Sequence, residues 1–182
     1  LRGAIIDYLA TRWSADGLAD ANVLPVVGTK ELVAWLPTLL GLSGGDTVVI
    51  PEIAYPTYDV GARIAGARAV PCDDPARLAE LRPRLVWINS PANPHGRILG
   101  RDETRAWVAA ARAAGAVLAG DECYGEFGWD AEPVSVLDPA VNDGSLTGLL
   151  AVHSLSKRSN AAGYRAGFVA GDAGLVGELL EV

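Results

Sequence analysis

The feature that most constrains this chain is a set of short, almost wholly apolar runs, NVLPVV, DTVVIP, RLVWIN, GAVLAGD and GLLAVHS, each closed by Gly, Pro or polar residues. They lack the polar alternation of a half-wetted sheet, so they predict strands covered on both faces. Helical patterns fall between them. Residues 1–12 put Ile5, Ile6 and Leu9 on one helical face, and residues 29–40 do the same with Leu32, Val33, Leu36, Leu39 and Leu40. Residues 56–67, 101–114 and 173–181 are further helical stretches. This alternation predicts the α/β class, a three-layer α/β/α sandwich around a mostly parallel sheet. Such sheets bind ligands at the carboxyl ends of their strands. The sequence places GTKE, NSPANPHG, DECY and HSLSKRSN at those ends.

Length and composition narrow the partners. With 182 residues, half of them apolar, the chain has enough material for one sizeable core. A net charge of -7 and a pI near 4.8 speak against nucleic acid or an anionic membrane surface, both of which need clustered Lys and Arg. A small-molecule partner is expected. Cys72 and Cys123 have no paired spacing that suggests zinc or a disulfide framework, so two buried thiols in a reducing cytoplasm are expected. No window approaches the roughly 18 apolar residues of a membrane span, and no basic stretch precedes a short apolar one at the start. The chain has no methionine and opens inside a helical pattern, so it is expected to be a piece of a longer protein.

Four strand ends carry the chemistry. At Gly28-Thr29-Lys30-Glu31 a glycine closes a strand and opens a helix, whose free N–H groups and positive dipole end would seat a phosphate. Ordinary capping by Thr29 beside a solvated Lys30 fits those residues equally. The chain holds thirteen arginines but only two lysines, Lys30 and Lys157, so an amine nucleophile has two candidates. Lys157, in the strand-end segment Ser154-Leu155-Ser156-Lys157, is either a surface charge or an amine kept neutral by nearby cations for Schiff-base chemistry. The planar fork of Arg165 suits a phosphate dianion, and Ser154 can add a hydroxyl donor. Asp121 closes a buried strand, where a carboxylate needs a partner: a helix N-terminus, an ion pair, or a protonated ring nitrogen. Tyr124 and Asn93 can donate to a ring oxygen, or can pack and serve a turn.

The order of these pieces resembles the fold-type I pyridoxal-phosphate aminotransferases of class I/II. That family has a G-[ST]-K-E helix start, a Y-P-x-Y segment, an N-P-x-G turn, a D-E-x-Y strand end and an S-x-S-K loop with an arginine eight residues on. Here they stand, in that order, as GTKE (28–31), YPTY (55–58), NPHG (93–96), DECY (121–124) and SLSKRSNAAGYR (154–165). The resemblance implies that Lys157 is the Schiff-base lysine and Asp121 the partner of the pyridine nitrogen, with Asn93 and Tyr124 on the phenolic oxygen and Tyr55 stacked on the ring. It gives the phosphate to the backbone of Gly28, Thr29 and Lys30, to Ser154 and Arg165, and to Ser156 as a further candidate. His95 departs from the family's usual threonine.

The same resemblance implies ping-pong transamination, with Lys157 both anchor and base. It points to the actinobacterial type of N-succinyldiaminopimelate aminotransferase, which acts on N-succinyl-LL-2,6-diaminopimelate with 2-oxoglutarate in lysine biosynthesis. A pyridoxal-phosphate-dependent C–S lyase and a non-enzymatic aminotransferase-like regulator domain would share these residues. Residues 1–182 are expected to form the large cofactor-binding domain of a homodimeric protein. An N-terminal arm, a small C-terminal domain and the arginine that grips the substrate carboxylate are expected outside this segment.

Overall fold

The computed structural model describes residues 1–181, so Val182, the last residue of the expected domain, lies outside the described residues. The apolar runs form strands and the amphipathic stretches form helices. In chain order these are α1 (Arg2–Trp13), β1 (Val23–Val26), α2 (Thr29–Leu39), β2 (Thr47–Ile50), α3 (Thr57–Ile64), β3 (Arg68–Pro71), α4 (Leu78–Leu81), β4 (Leu85–Asn89) and α5 (Arg101–Ala114). They continue with β5 (Val117–Asp121), α6 (Pro139–Asn142), β6 (Leu149–Ser154), α7 (Leu155–Arg158), β7 (Gly167–Gly171) and α8 (Ala173–Glu178).

Among the described residues the strands make a seven-stranded sheet in the order β1-β7-β6-β5-β4-β2-β3. From β6 to β3 every neighbouring pair is parallel, as the strand-helix alternation predicts. At the other side β7 runs antiparallel to β6, and β1 antiparallel to β7. Alternate strand residues face opposite ways, which divides the apolar core in two. On one face Val86, Ile88, Leu118 and Leu149 pack against Leu9 and Trp13 of α1 and Trp107 and Val108 of α5. On the other, Val48, Trp87, Leu150 and Val152 pack against Leu32, Val33 and Leu36 of α2 and Tyr58 and Ala62 of α3. The molecule is therefore the three-layer sandwich expected.

Three details differ from the sequence reading. The run NVLPVV is an edge strand, half-buried beyond Val23; an edge tolerates Pro25, which brings no N–H to the ladder. Strands β3 and β7 were not among the predicted runs. RAVP is a partly exposed edge with a proline, and GFVAG has glycine at both ends and only three apolar residues between them, so neither shows a long apolar signature. Helices α3 and α8 stop earlier than the apolar pattern, at Ile64 and Glu178. Among the described residues no helix is long and apolar enough to cross a membrane.

Helix α3 lies close on α2 because Gly61 has no side chain: a Cβ there would sit 2.9 Å from the carbonyl oxygens of Val33 and Ala34. Since these oxygens belong to a packed helix they cannot yield cheaply, and Gly61→Ala is expected to lower the unfolding free energy of the full-length protein by about 1–3 kcal/mol. Urea denaturation of the variant checks this; an unchanged midpoint would contradict the close approach.

Candidate active site

Parallel pairing brings the carboxyl ends of three central strands level. Asn89, which ends β4, lies beside Asp121, which ends β5, and Asp121 lies beside Val152 of β6. A cavity of about 410 Å³ opens over these ends, within the size range of small-molecule sites. Thr29, Lys30, Tyr55, Asn93, Asp121 and Tyr124 line it, as do Ser154, Ser156, Lys157 and Arg165. Gly28 does not line it. It caps α2 at φ 83, a left-handed conformation that glycine adopts freely, and no side chain caps that helix. Thr29 is thus the first helical residue rather than the cap, and its hydroxyl faces the Cys123 thiol at 3.5 Å.

Asp121 is buried, and its satisfaction involves residues that the sequence reading did not single out. One carboxylate oxygen accepts from the Tyr58 hydroxyl at 2.7 Å and the other from the Cys123 N–H at 3.2 Å. Tyr58 is itself fully buried and stacked on Trp87, with ring centroids 5.0 Å apart. Burial, and next the charge of Asp121, push the Tyr58 phenol well above its usual range. The backbone carbonyl of Asp121 accepts from the Asn89 side-chain amide at 2.9 Å. Asn89 Oδ1 accepts the Asn93 N–H at 2.7 Å, so one asparagine ties the turn carrying Asn93 to the strand carrying Asp121. Cis peptide bonds at Ser90–Pro91 and Asn93–Pro94 lie in this segment. The second tyrosine of YPTY was the signal available for Tyr58, and the polar close of RLVWIN the signal for Asn89.

At the end of β6, Ser154 Oγ accepts the Ser156 N–H at 3.1 Å and so starts the short helix α7. That helix presents Lys157, exposed, with Nζ 5.8 Å from the centroid of the Tyr124 ring. Arg165 follows on the connection to β7, and its Nη2 reaches Glu31 Oε2 at 2.5 Å. Tyr55 sits edge-on to Tyr58 at 5.9 Å.

Two clusters support the cavity from behind. Glu126 accepts from the Tyr8 hydroxyl at 2.9 Å and from Arg12 and Arg158 at 3.2 Å each, which clamps α1 to the turn carrying Lys157. Burial raises the Tyr8 phenol to about 12, with Trp13 pulling against the rise and Glu126 adding to it. Buried His153 and Glu122 approach to 3.0 Å, off the line of a hydrogen bond, directly beneath Ser154 and Asp121. Both cysteines are free, but only Cys72 is buried. Cys123 is half-buried at the cavity wall, correcting the expectation of two buried thiols, and burial and then Asp121 hold its thiol well above the usual range.

Fold and cavity together define an open α/β sheet whose polar groups converge on one cavity at the strand ends. The sequence model described as "Aminotransferase class I and II" matches residues 1–182, and the chain belongs to that family. It is 59% identical over 182 residues to a probable aminotransferase of Mycobacterium tuberculosis, covering all of this chain and 44% of that protein. It is 61% identical over 182 residues to the 4-dedimethylamino-4-oxo-anhydrotetracycline transaminase OxyQ of Streptomyces rimosus, covering all of this chain and 50% of that one. The structure of N-succinyldiaminopimelate aminotransferase from Mycobacterium tuberculosis superposes with a TM-score of 0.87 at 28% identity, over 98% of this chain and 49% of that one. The chain thus spans about half the length of the relatives it matches.

Tyr58 gives a prediction with two parts. Its hydrogen bond to a buried charge is worth about 1.5–3 kcal/mol, so Tyr58→Phe is expected to lower the stability of the full-length protein by that amount at neutral pH. Because the folded phenol ionises above its ordinary value of 10.0, the unfolded chain sheds its proton first. Stability should therefore fall as pH rises above about 10, and the variant should fall less steeply, by about 1.4 kcal/mol per pH unit. Urea midpoints between pH 7 and 11 test both parts; equal slopes would contradict the second.

Proposed function

We propose that this chain is the cofactor-binding domain of a pyridoxal-phosphate-dependent aminotransferase. The observation that carries the reading is the convergence of an exposed lysine, a buried carboxylate and an arginine fork on one cavity. The residues fit the cofactor group by group. Asp121 is buried with two hydrogen-bond donors, and among the described residues no Arg, Lys or His lies within ion-pair reach of it; a protonated ring nitrogen is the cation such a carboxylate lacks. Arg165 and the uncapped first turn of α2 suit a phosphate dianion, with the Ser154 and Ser156 hydroxyls beside them. Asn93 and Tyr124 would donate to the phenolic oxygen, and Tyr55 would cover the ring. When bound, pyridoxal phosphate supplies an electron sink for the pair left behind when a proton leaves the substrate α-carbon.

The chain's own groups do the rest. Lys157 would hold the cofactor covalently through Nζ and, once released, carry the α-proton from one carbon to another as the general base and acid. The Tyr124 ring faces that amine, its centroid 5.8 Å from Nζ. Tyr58 and Asn89 keep Asp121 aligned at the floor, so its charge stays fixed while protons move above it.

The substrate pair we propose first is N-succinyl-LL-2,6-diaminopimelate with 2-oxoglutarate, placing the enzyme in amino-acid biosynthesis in the cytoplasm. The structural likeness to N-succinyldiaminopimelate aminotransferase supports this. A second reading, amination of 4-dedimethylamino-4-oxo-anhydrotetracycline, is favoured by the 61% identity to the transaminase OxyQ. Full-length protein assayed on both amino acceptors separates them: turnover of the succinylated keto acid alone supports the first, and turnover of the 4-oxo-anhydrotetracycline alone the second.

Borohydride reduction of the full-length protein with pyridoxal phosphate should leave the pyridoxyl label on Lys157 in peptide mass mapping. Lys157→Ala should lower kcat by about a thousandfold or more; label on Lys30 instead would overturn the assignment. The intact protein is also expected to sediment as a homodimer, and an active monomer would refute that.

A further inference from the structure

Glu31, in the first turn of α2, reaches toward the same groups that would hold the phosphate. Its Oε2 accepts from Arg165 Nη2 at 2.5 Å. Its own backbone N–H is the first of the causes that hold its carboxyl below the usual range, with Arg165 after it. The carboxylate thus sits on the guanidinium fork at the uncapped start of α2, where the two kinds of anion donor at this end of the cavity, backbone N–H groups and the fork, lie together. The pair is seated directly on Gly28: a Cβ at that position would collide with Arg165 Nη2 and with Glu31 Oε2. Arg165 is fixed from its other side, since its Nη1 donates to the Ala162 carbonyl at 3.4 Å and its backbone sits at φ 50. Even so, the two side chains are 41% and 56% exposed, so the carboxylate has room to turn into solvent.

We propose that Glu31 is a built-in counter-anion of Arg165, which occupies the fork until a phosphate dianion displaces it. The inference rests on reading this end of the cavity as the phosphate seat. An exposed carboxylate–guanidinium pair is weak, worth less than about 1 kcal/mol, so it yields to a ligand that brings two charges and also engages the α2 N–H groups and the Ser154 hydroxyl. It does not yield to a monoanion that meets only the fork. Glu31 thereby keeps the fork paired while the seat is empty, and it re-covers the fork when the phosphate leaves.

The test uses full-length protein stripped of cofactor and titrated by calorimetry with inorganic phosphate, pyridoxal phosphate and unphosphorylated pyridoxal. Glu31→Gln keeps the shape and removes the competing charge. It should tighten inorganic phosphate about two- to fivefold, the size of an exposed ion pair, and leave pyridoxal unchanged. Glu31→Asp, one methylene shorter, should fall between Gln and wild type for phosphate. Weaker phosphate binding by Glu31→Gln would make Glu31 a positioning group for Arg165 and overturn the proposal, as would equal shifts for phosphate and pyridoxal. If Arg165→Ala leaves pyridoxal phosphate binding unchanged, the phosphate seat itself is misplaced and both readings fall together.

Discussion

The central strands β2, β4, β5 and β6 are sheathed by apolar side chains on both faces, and everything else in the molecule answers to that burial. A sheet covered in this way leaves polar side chains no room along its strands, because an unpaired polar group in such a core costs several kcal/mol. Polar chemistry is pushed to the strand ends. All three residues that close β4, β5 and β6 are polar, namely Asn89, Asp121 and Ser154, and all three are buried. The cavity lies where it does because that is the place on this sheet where buried polar groups can meet a ligand rather than one another.

Holding a buried carboxylate there requires a supporting cast from distant parts of the chain. Tyr58 comes from α3 and Asn89 from the neighbouring strand, and each engages a different oxygen of Asp121. Beneath them Glu122 accepts the Val136 N–H at 2.8 Å, which fastens the segment after β5 to the sheet. On the same side, Glu126 draws α1 and Arg158 together beside the lysine turn. The site is therefore tied down in its floor and more open at Lys157 and Glu31, which are the groups the proposed chemistry requires to move.

How much of this was legible in the sequence follows from the same burial. Strands β2, β4, β5 and β6 announce themselves as unbroken apolar runs because both of their faces are covered. Strand β7 does not: at Gly167 a Cβ would strike the His153 carbonyl and the Thr29 methyl, so close approach imposes glycine where a strand would otherwise show valine or isoleucine. The cavity-lining set could be read from short motifs, since each lies within a few residues of a strand end. Tyr58 could not be assigned its partner, because its hydrogen bond spans 63 residues of chain and depends on how α3 settles on the sheet. The same holds for Arg165 and Glu31, whose pairing is created only when β7 returns beside β6 and brings its preceding loop over α2.

That return has a consequence of its own. Because β7 is antiparallel to β6 and directly beside it, with Ser154 opposite Gly167, residues 155–166 form a hairpin connection rather than a helical crossover. Lys157 and Arg165 both ride on it. The spacing between the covalent and the ionic hold on a ligand is thus an internal dimension of one loop pinned at both ends, insensitive to small shifts among the helices that cover the sheet. A fold in which the two came from separate crossovers would have to tune that spacing through its packing. Here the neighbouring elements are free to diverge in sequence while the grip keeps its gauge.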